Sequence, residues 1–179
     1  MFHPDTQALI DHWTALSRDG VARAGLPPRA ALRPDALGGR LTRTFLAERA
    51  GDDVRLRLAG DWLEAFHDMP LTGASLSAMW RPPSIAMAAA AVRQTVREAR
   101  PVVVVAAVGA GNAPVEVTLA AFQGEAAGRE LILGLVAPVA TLTLPARTPH
   151  RLTARVSMAV GEPARPRLAL AALDGRRIA

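Results

Sequence analysis

Apolar positions along the chain follow two rhythms, and their order predicts the fold. Leu9, Trp13 and Leu16 recur at i, i+4 and i+7, the stripe of an amphipathic helix over residues 6–17. Asp5 or Thr6 is placed to cap its start and Gly20 to end it. Residues 21–40 hold Pro27, Pro28, Pro34, Gly25, Gly38 and Gly39, which predicts an ordered loop or a set of turns, with Asp35 placed to cap one of them. The period then changes to two. Residues 42–48 are rich in β-branched and aromatic side chains, and residues 54–58 set Val54, Leu56 and Leu58 against Arg55 and Arg57. Gly51-Asp52-Asp53 joins these two strands as a hairpin turn. Gly60-Asp61 opens a short helix in which Asp61 and Glu64 have capping-box spacing ahead of Trp62, Leu63 and Phe66.

Residues 70–80 read as irregular or weakly helical. Pro82-Pro83-Ser84 opens a longer helix over 85–99, with Ala88, Ala89 and Ala91 on its small-residue face, Arg97 and Arg100 near its negative end, and Pro101 as its stop. Strands follow at 102–108, 115–122 and 131–136, the last continuing towards 144, and the short glycine-containing loops between them suit antiparallel neighbours. The order helix, ββ, helices, βββ predicts an α+β fold. Its five-stranded antiparallel sheet has helices on one face, and the helical insertion lies between strands two and three. The expected organisation is an N-terminal helix (1–20), a core domain (21–144) and an Arg/Pro-containing extension (145–179). Within the extension, Leu152, Ala154, Val156, Met158 and Val160 alternate with Arg151, Thr153, Arg155 and Ser157, the pattern of either an added edge strand or an extended arm.

Several short runs narrow this reading. His12-Trp13-Thr14-Ala15-Leu16-Ser17-Arg18-Asp19-Gly20 is followed by Pro28-Arg29 and by Arg33-Pro34-Asp35-Ala36-Leu37. Phe45-Leu46-Ala47-Glu48, Leu56-Arg57-Leu58-Ala59-Gly60, Leu71-Thr72-Gly73 and the stretch from Leu76 to Trp80 come next, in that order. Together, over residues 11–136, they resemble a compact PAS-like family of alphaproteobacterial proteins. The resemblance implies a sensory or protein-contact role, most members of the superfamily being regulatory. It also implies that helices flanking the core pack between protomers, which makes Leu9, Trp13 and Leu16 candidate dimer contacts, the other reading being that the stripe covers the open sheet face of its own domain. One position departs from the family pattern, which usually has glycine after the residue corresponding to Phe66. This chain has His67 there, so a different helix-to-loop geometry is expected.

Composition removes several chemistries. The 179 residues contain no cysteine, which excludes disulfides, thiolate metal sites and a cysteine nucleophile. The N-terminus lacks a basic stretch followed by an apolar one, and no apolar run is long enough to span a bilayer, so the expected location is cytoplasmic. All basic residues are arginine. Charges cancel over 1–146, and the formal net charge of +5 resides in 147–179. Arg165-Pro166-Arg167 and Arg176-Arg177 could contact nucleic acid, anionic lipid or an acidic protein. No recognition helix or stacking motif accompanies them, and a solvated tail is the plainer reading.

Candidate chemistry is sparse. Gly109-Ala110-Gly111-Asn112-Ala113-Pro114 begins like a dinucleotide loop, but a strand follows it where that motif needs a helix, so a hairpin turn is expected. His3, His12, His67 and His150 show no metal-ligand spacing, and Ser75 and Ser77 lack a nucleophile elbow. His67 falls where a PAS cavity would form and is the one candidate haem or metal ligand. The plainer reading is a helix-end histidine partly in solvent. Phe45, Trp62, Phe66, His67 and Trp80 are candidate lining residues of a small-molecule cavity, a filled core being the other reading of the same composition. No cofactor is identifiable. The expected function is a non-enzymatic sensory or adaptor protein that binds a small apolar molecule, a protein partner in trans, or both. The alternative is a nucleic-acid-binding regulator acting through its basic tail.

Overall fold

The computed structural model describes residues 1–18, 25–126, 129–140, 142 and 148–163. Helix α1 (Pro4–Arg18) is followed by a stretch of short 3-10 turns over Arg29–Ala31, Pro34–Ala36 and Gly38–Arg43. The hairpin β1 (Thr44–Ala50) and β2 (Asp53–Ala59) leads into helix α2 (Asp61–His67). Two 3-10 turns, Leu76–Met79 and Pro82–Ser84, precede helix α3 (Ile85–Glu98). Strands β3 (Val102–Val108), β4 (Ala113–Gln123), β5 (Arg129–Pro138) and β6 (Thr153–Ala159) complete the described chain. The predicted α+β order and the helical insertion between β2 and β3 are both present, and Gly109 and Asn112, at φ 70° and 51°, turn the chain directly from β3 into β4.

The sheet has six strands, one more than the five expected, in the order β2-β1-β5-β4-β3-β6 with every neighbouring pair antiparallel. The sixth comes from the alternating segment of the C-terminal extension, which takes its edge-strand reading and pairs with β3 from Ala107↔Thr153 to Val102↔Ala159. The physical reason lies in β3. It is buried along nearly its whole length, and an unpaired edge beside Val102–Val108 would leave backbone groups without partners.

The two faces are covered differently. Phe45, Gly134, Leu119 and Val102 are successive cross-strand partners and share one face. That face meets α3, through buried Ala88, Ala91, Val92 and Val96, and the helical insertion. A side chain at position 134 would collide with the Phe45 ring, so glycine there lets the ring lie flat on β5. The opposite face carries Leu46, Leu58 and Leu133 beneath the 3-10 turns. Helix α1 lies on this second face against β4 and β5, where the Glu116 carboxylate accepts the His3 backbone N–H at 3.0 Å.

Candidate functional site

Three of the five candidate cavity residues lie on α2. Trp62 is half-buried and stacks on Phe66 with ring centroids 4.9 Å apart, and Phe66 meets the His67 ring edge-on at 4.8 Å. Gly60, extended at φ −74°, precedes the helix, and Asp68, in the left-handed region at φ 50°, ends it. The left-handed residue therefore comes one position later than a glycine after Phe66 would place it. His67 stays helical and points inward, and the short acidic residue after it takes the conformation that Asn and Asp tolerate best.

His67 is not at the solvent edge, where the plainer reading put it. It is 1% exposed. The covering segment is residues 148–152, the lead into β6. The backbone carbonyl of His150 lies 2.6 Å from His67 Nδ1, and the His150 ring packs on Phe66 at 5.6 Å. A carbonyl only accepts, so Nδ1 carries the proton and Nε2 presents a lone pair. Burial pushes the His67 pKa from 6.5 down to about 4, against the opposing effect of the carbonyl hydrogen bond. The ring is therefore neutral at pH 7.

Trp80 reaches the same segment from the other side. It is 2% exposed and forms a parallel bridge with Leu152, whose backbone accepts from Arg81 N–H and donates to the Met79 carbonyl, both at 2.9 Å. Ser84 Oγ accepts the Ala154 N–H at 2.9 Å and continues the seam. Leu152 is itself fully buried. Two polar atoms along this seam, His67 Nε2 and Trp80 Nε1, are buried without a hydrogen-bond partner. One is an acceptor and the other a donor.

Phe45 lies apart from this group, on β1 over Gly134. It also borders an apolar groove of about 240 Å3 on the opposite face, lined by Leu32, Pro34, Leu37, Leu41, Leu46 and Leu58. Trp62 borders a shallow, half-polar depression with His3, Arg43 and Pro138. The five residues thus divide. Phe66, His67 and Trp80 gather around residues 150–152, Trp62 stacks on Phe66 from outside that group, and Phe45 belongs to the sheet. Sequence reasoning missed the parts played by His150, Leu152 and Ser84, although the alternation around Leu152 was their one visible signal.

Of the candidate dimer contacts, Leu9 and Trp13 are each 2% exposed within their own chain, and Trp13 Nε1 donates to the Ala121 carbonyl at 2.7 Å. Leu16 is partly buried against the same core. Asp5, at the start of α1, is clamped by Arg40 Nε and Arg43 Nη2 at 2.7 Å each. Among the described residues no group of three or more His, Cys, Asp or Glu side chains could hold a metal ion. No described helix is long and apolar enough to cross a membrane. Arg165, Arg167, Arg176 and Arg177 lie outside the described residues.

An antiparallel sheet in this order, with its helical insertion between the second and third strands, is the architecture of PAS domains. A family model described as a PAS domain, PAS_5, matches residues 1–137, and the chain belongs to that family. Strand β6 and the segment leading into it lie beyond the matched residues. Among solved structures, the chain is similar to a fungal LOV-domain photoreceptor at 17% identity, covering 69% of this chain and 99% of that one with a TM-score of 0.39. No curated protein matches the chain.

Proposed function

We infer that this PAS-family chain is a non-enzymatic sensor or adaptor that works inside the cell. In this reading it holds a small molecule at the seam between α2, Trp80 and residues 150–152, and it passes the signal to a partner protein in trans. The observation that carries the reading is the pair of buried, unpartnered polar atoms, His67 Nε2 and Trp80 Nε1. Buried polar groups are nearly always hydrogen-bonded, and each one left alone costs about 1–3 kcal/mol. A ligand that donates to His67 Nε2 and accepts from Trp80 Nε1 removes both costs. Its chemistry is therefore a compact, largely apolar body carrying a hydroxyl or amide. Phe66, edge-on to the His67 ring, would supply an apolar wall.

Because the seam joins the helical insertion to the strand that completes the sheet, a ligand there would tighten or loosen β6, and β6 would be the element a partner reads. Native mass spectrometry of the purified full chain tests this, with a His67→Leu/Trp80→Phe double variant alongside. The wild type is expected to carry a small molecule that the variant has lost. A wild type that shows only the bare chain mass, and whose melting temperature no hydroxyl- or amide-bearing compound raises, overturns the reading.

A further inference from the structure

Strand β6 ends the sheet, and its outer edge is organised for pairing. Val160 N–H donates to the Pro101 carbonyl, so residues 158 and 156 also turn their backbone groups towards β3, by antiparallel alternation. Ser157 and Ala159 then turn theirs away from it. At the start of the strand the alternation shifts at a bulge beside Ala106, and the outward Ala154 N–H is taken by Ser84. Among the described residues, the free part of the edge is therefore the stretch from Ser157 to Ala159. The opposite edge of the sheet differs, because β2 is closed by Leu56, which donates to the Ala74 carbonyl and accepts from Gly73. The open edge is also apolar. Val156 and Met158, on the face away from α3, are 44% and 38% exposed.

We propose that the Ser157–Ala159 edge of β6 pairs with the same edge of a second copy of this chain, antiparallel about a two-fold axis through Met158. Self-complementarity selects a second copy over any other strand. About that axis Ser157 lies opposite the partner's Ala159 and Ala159 opposite the partner's Ser157, so both residues with outward backbone groups meet outward groups, giving about four new hydrogen bonds. Met158 meets the partner's Met158, and Val156 meets the partner's Val160, closing the exposed apolar row on itself. Arg155 falls opposite the partner's Gly161, and no two like charges face each other. The two sheets become one continuous sheet, and the bulge beside Ala106 stays outside the paired stretch. This contact leaves α1 on its own sheet and uses none of the residues at the seam.

The absence of cysteine gives a clean test. Directly opposed residues of a non-hydrogen-bonded antiparallel pair have Cα atoms about 4.5 Å apart, within disulfide range. Under mild oxidation a Met158→Cys variant of the full chain is expected to become a covalent dimer. A Leu58→Cys variant, 63% exposed on the other edge strand, forms no covalent dimer. By sedimentation equilibrium the wild type is a dimer at ~100 μM, a concentration at which a dimer of Kd about 1 μM is mostly assembled. Ser157→Pro, whose lost N–H serves no bond among the described residues, is a monomer with unchanged circular dichroism. A monomeric wild type at that concentration, a Ser157→Pro variant that still dimerises, or equal cross-linking through Leu58→Cys overturns the proposal.

Discussion

Single atoms decide several of these features. The Phe45 ring occupies the space a side chain at position 134 would need, so Gly134→Ala must displace a fully buried aromatic. The expected cost is about 1–3 kcal/mol, read as a lower urea midpoint with an unchanged slope. His67 sets a pH dependence. Its folded pKa, about 4, lies below its ordinary value of 6.5, so the unfolded chain binds a proton that the folded chain refuses. The contribution to stability is complete above pH 6.5 and is lost as pH falls from there to about 4, a total of roughly 3 kcal/mol. Urea unfolding at a series of pH values should show that slope, and His67→Leu should remove it. Asp5 acts lower on the scale. Burial alone would raise its pKa, but the hydrogen bonds and charges of Arg43 and Arg40 outweigh burial and hold it below 3.8. Neither the depth of His67 nor its bond to His150 was legible in the sequence. Both depend on a segment that returns from more than eighty positions away, and no local spacing records such a return.

At the scale of elements, local pattern was a good guide wherever one element buries one face. The stripe of Leu9 and Trp13 produced α1, and Pro101 stopped α3 close to where it was expected. Strand β2 formed over Val54-Leu56-Leu58, but its pairing with β1 shifts between Leu46 and Ala47, so Leu58 leaves the face of Leu56 and is 63% exposed. What the pattern could not assign was the surface each stripe meets. The α1 stripe suits a second protomer and its own sheet equally well by chemistry, and in the folded chain it lies on β4 and β5. Trp13→Ala should therefore destabilise the chain by about 3–5 kcal/mol, through lost packing and an abandoned Ala121 carbonyl. Trp13→Phe, which keeps most of the apolar area, should cost about 1–3 kcal/mol. Thermal or chemical unfolding at two protein concentrations separates that local cost from any effect on association. The 3-10 turns over residues 29–43 were visible only as a Pro- and Gly-rich loop, since turns of that length have no apolar period to read.

At the scale of the whole molecule, the order of strands in the sheet departs from their order in the chain. The matched family region ends at residue 137, yet β6 closes the edge of β3 and its lead segment plugs the helical insertion. Leu152→Ala, which empties a fully buried position in that plug, should cost about 2–5 kcal/mol and should raise hydrogen exchange first along β3 and β6. The same ordering has a consequence in time. Strand β1 is made early, but its inner partner β5 follows on the order of ninety residues later, as the Phe45↔Gly134 pairing shows. At ordinary rates of synthesis, about 5–20 residues per second, the β1–β2 hairpin waits several seconds with one long edge bare. During that interval Glu48 and Arg49, near the far end of β1, place charge on the bare edge, which is expected to disfavour its pairing with a neighbouring nascent chain. Replacing both with valine, which also removes their ion pairs with Glu130, Arg57 and Arg129, should leave the mature fold able to form yet shift newly made protein towards aggregates, read as the pelleted fraction after synthesis.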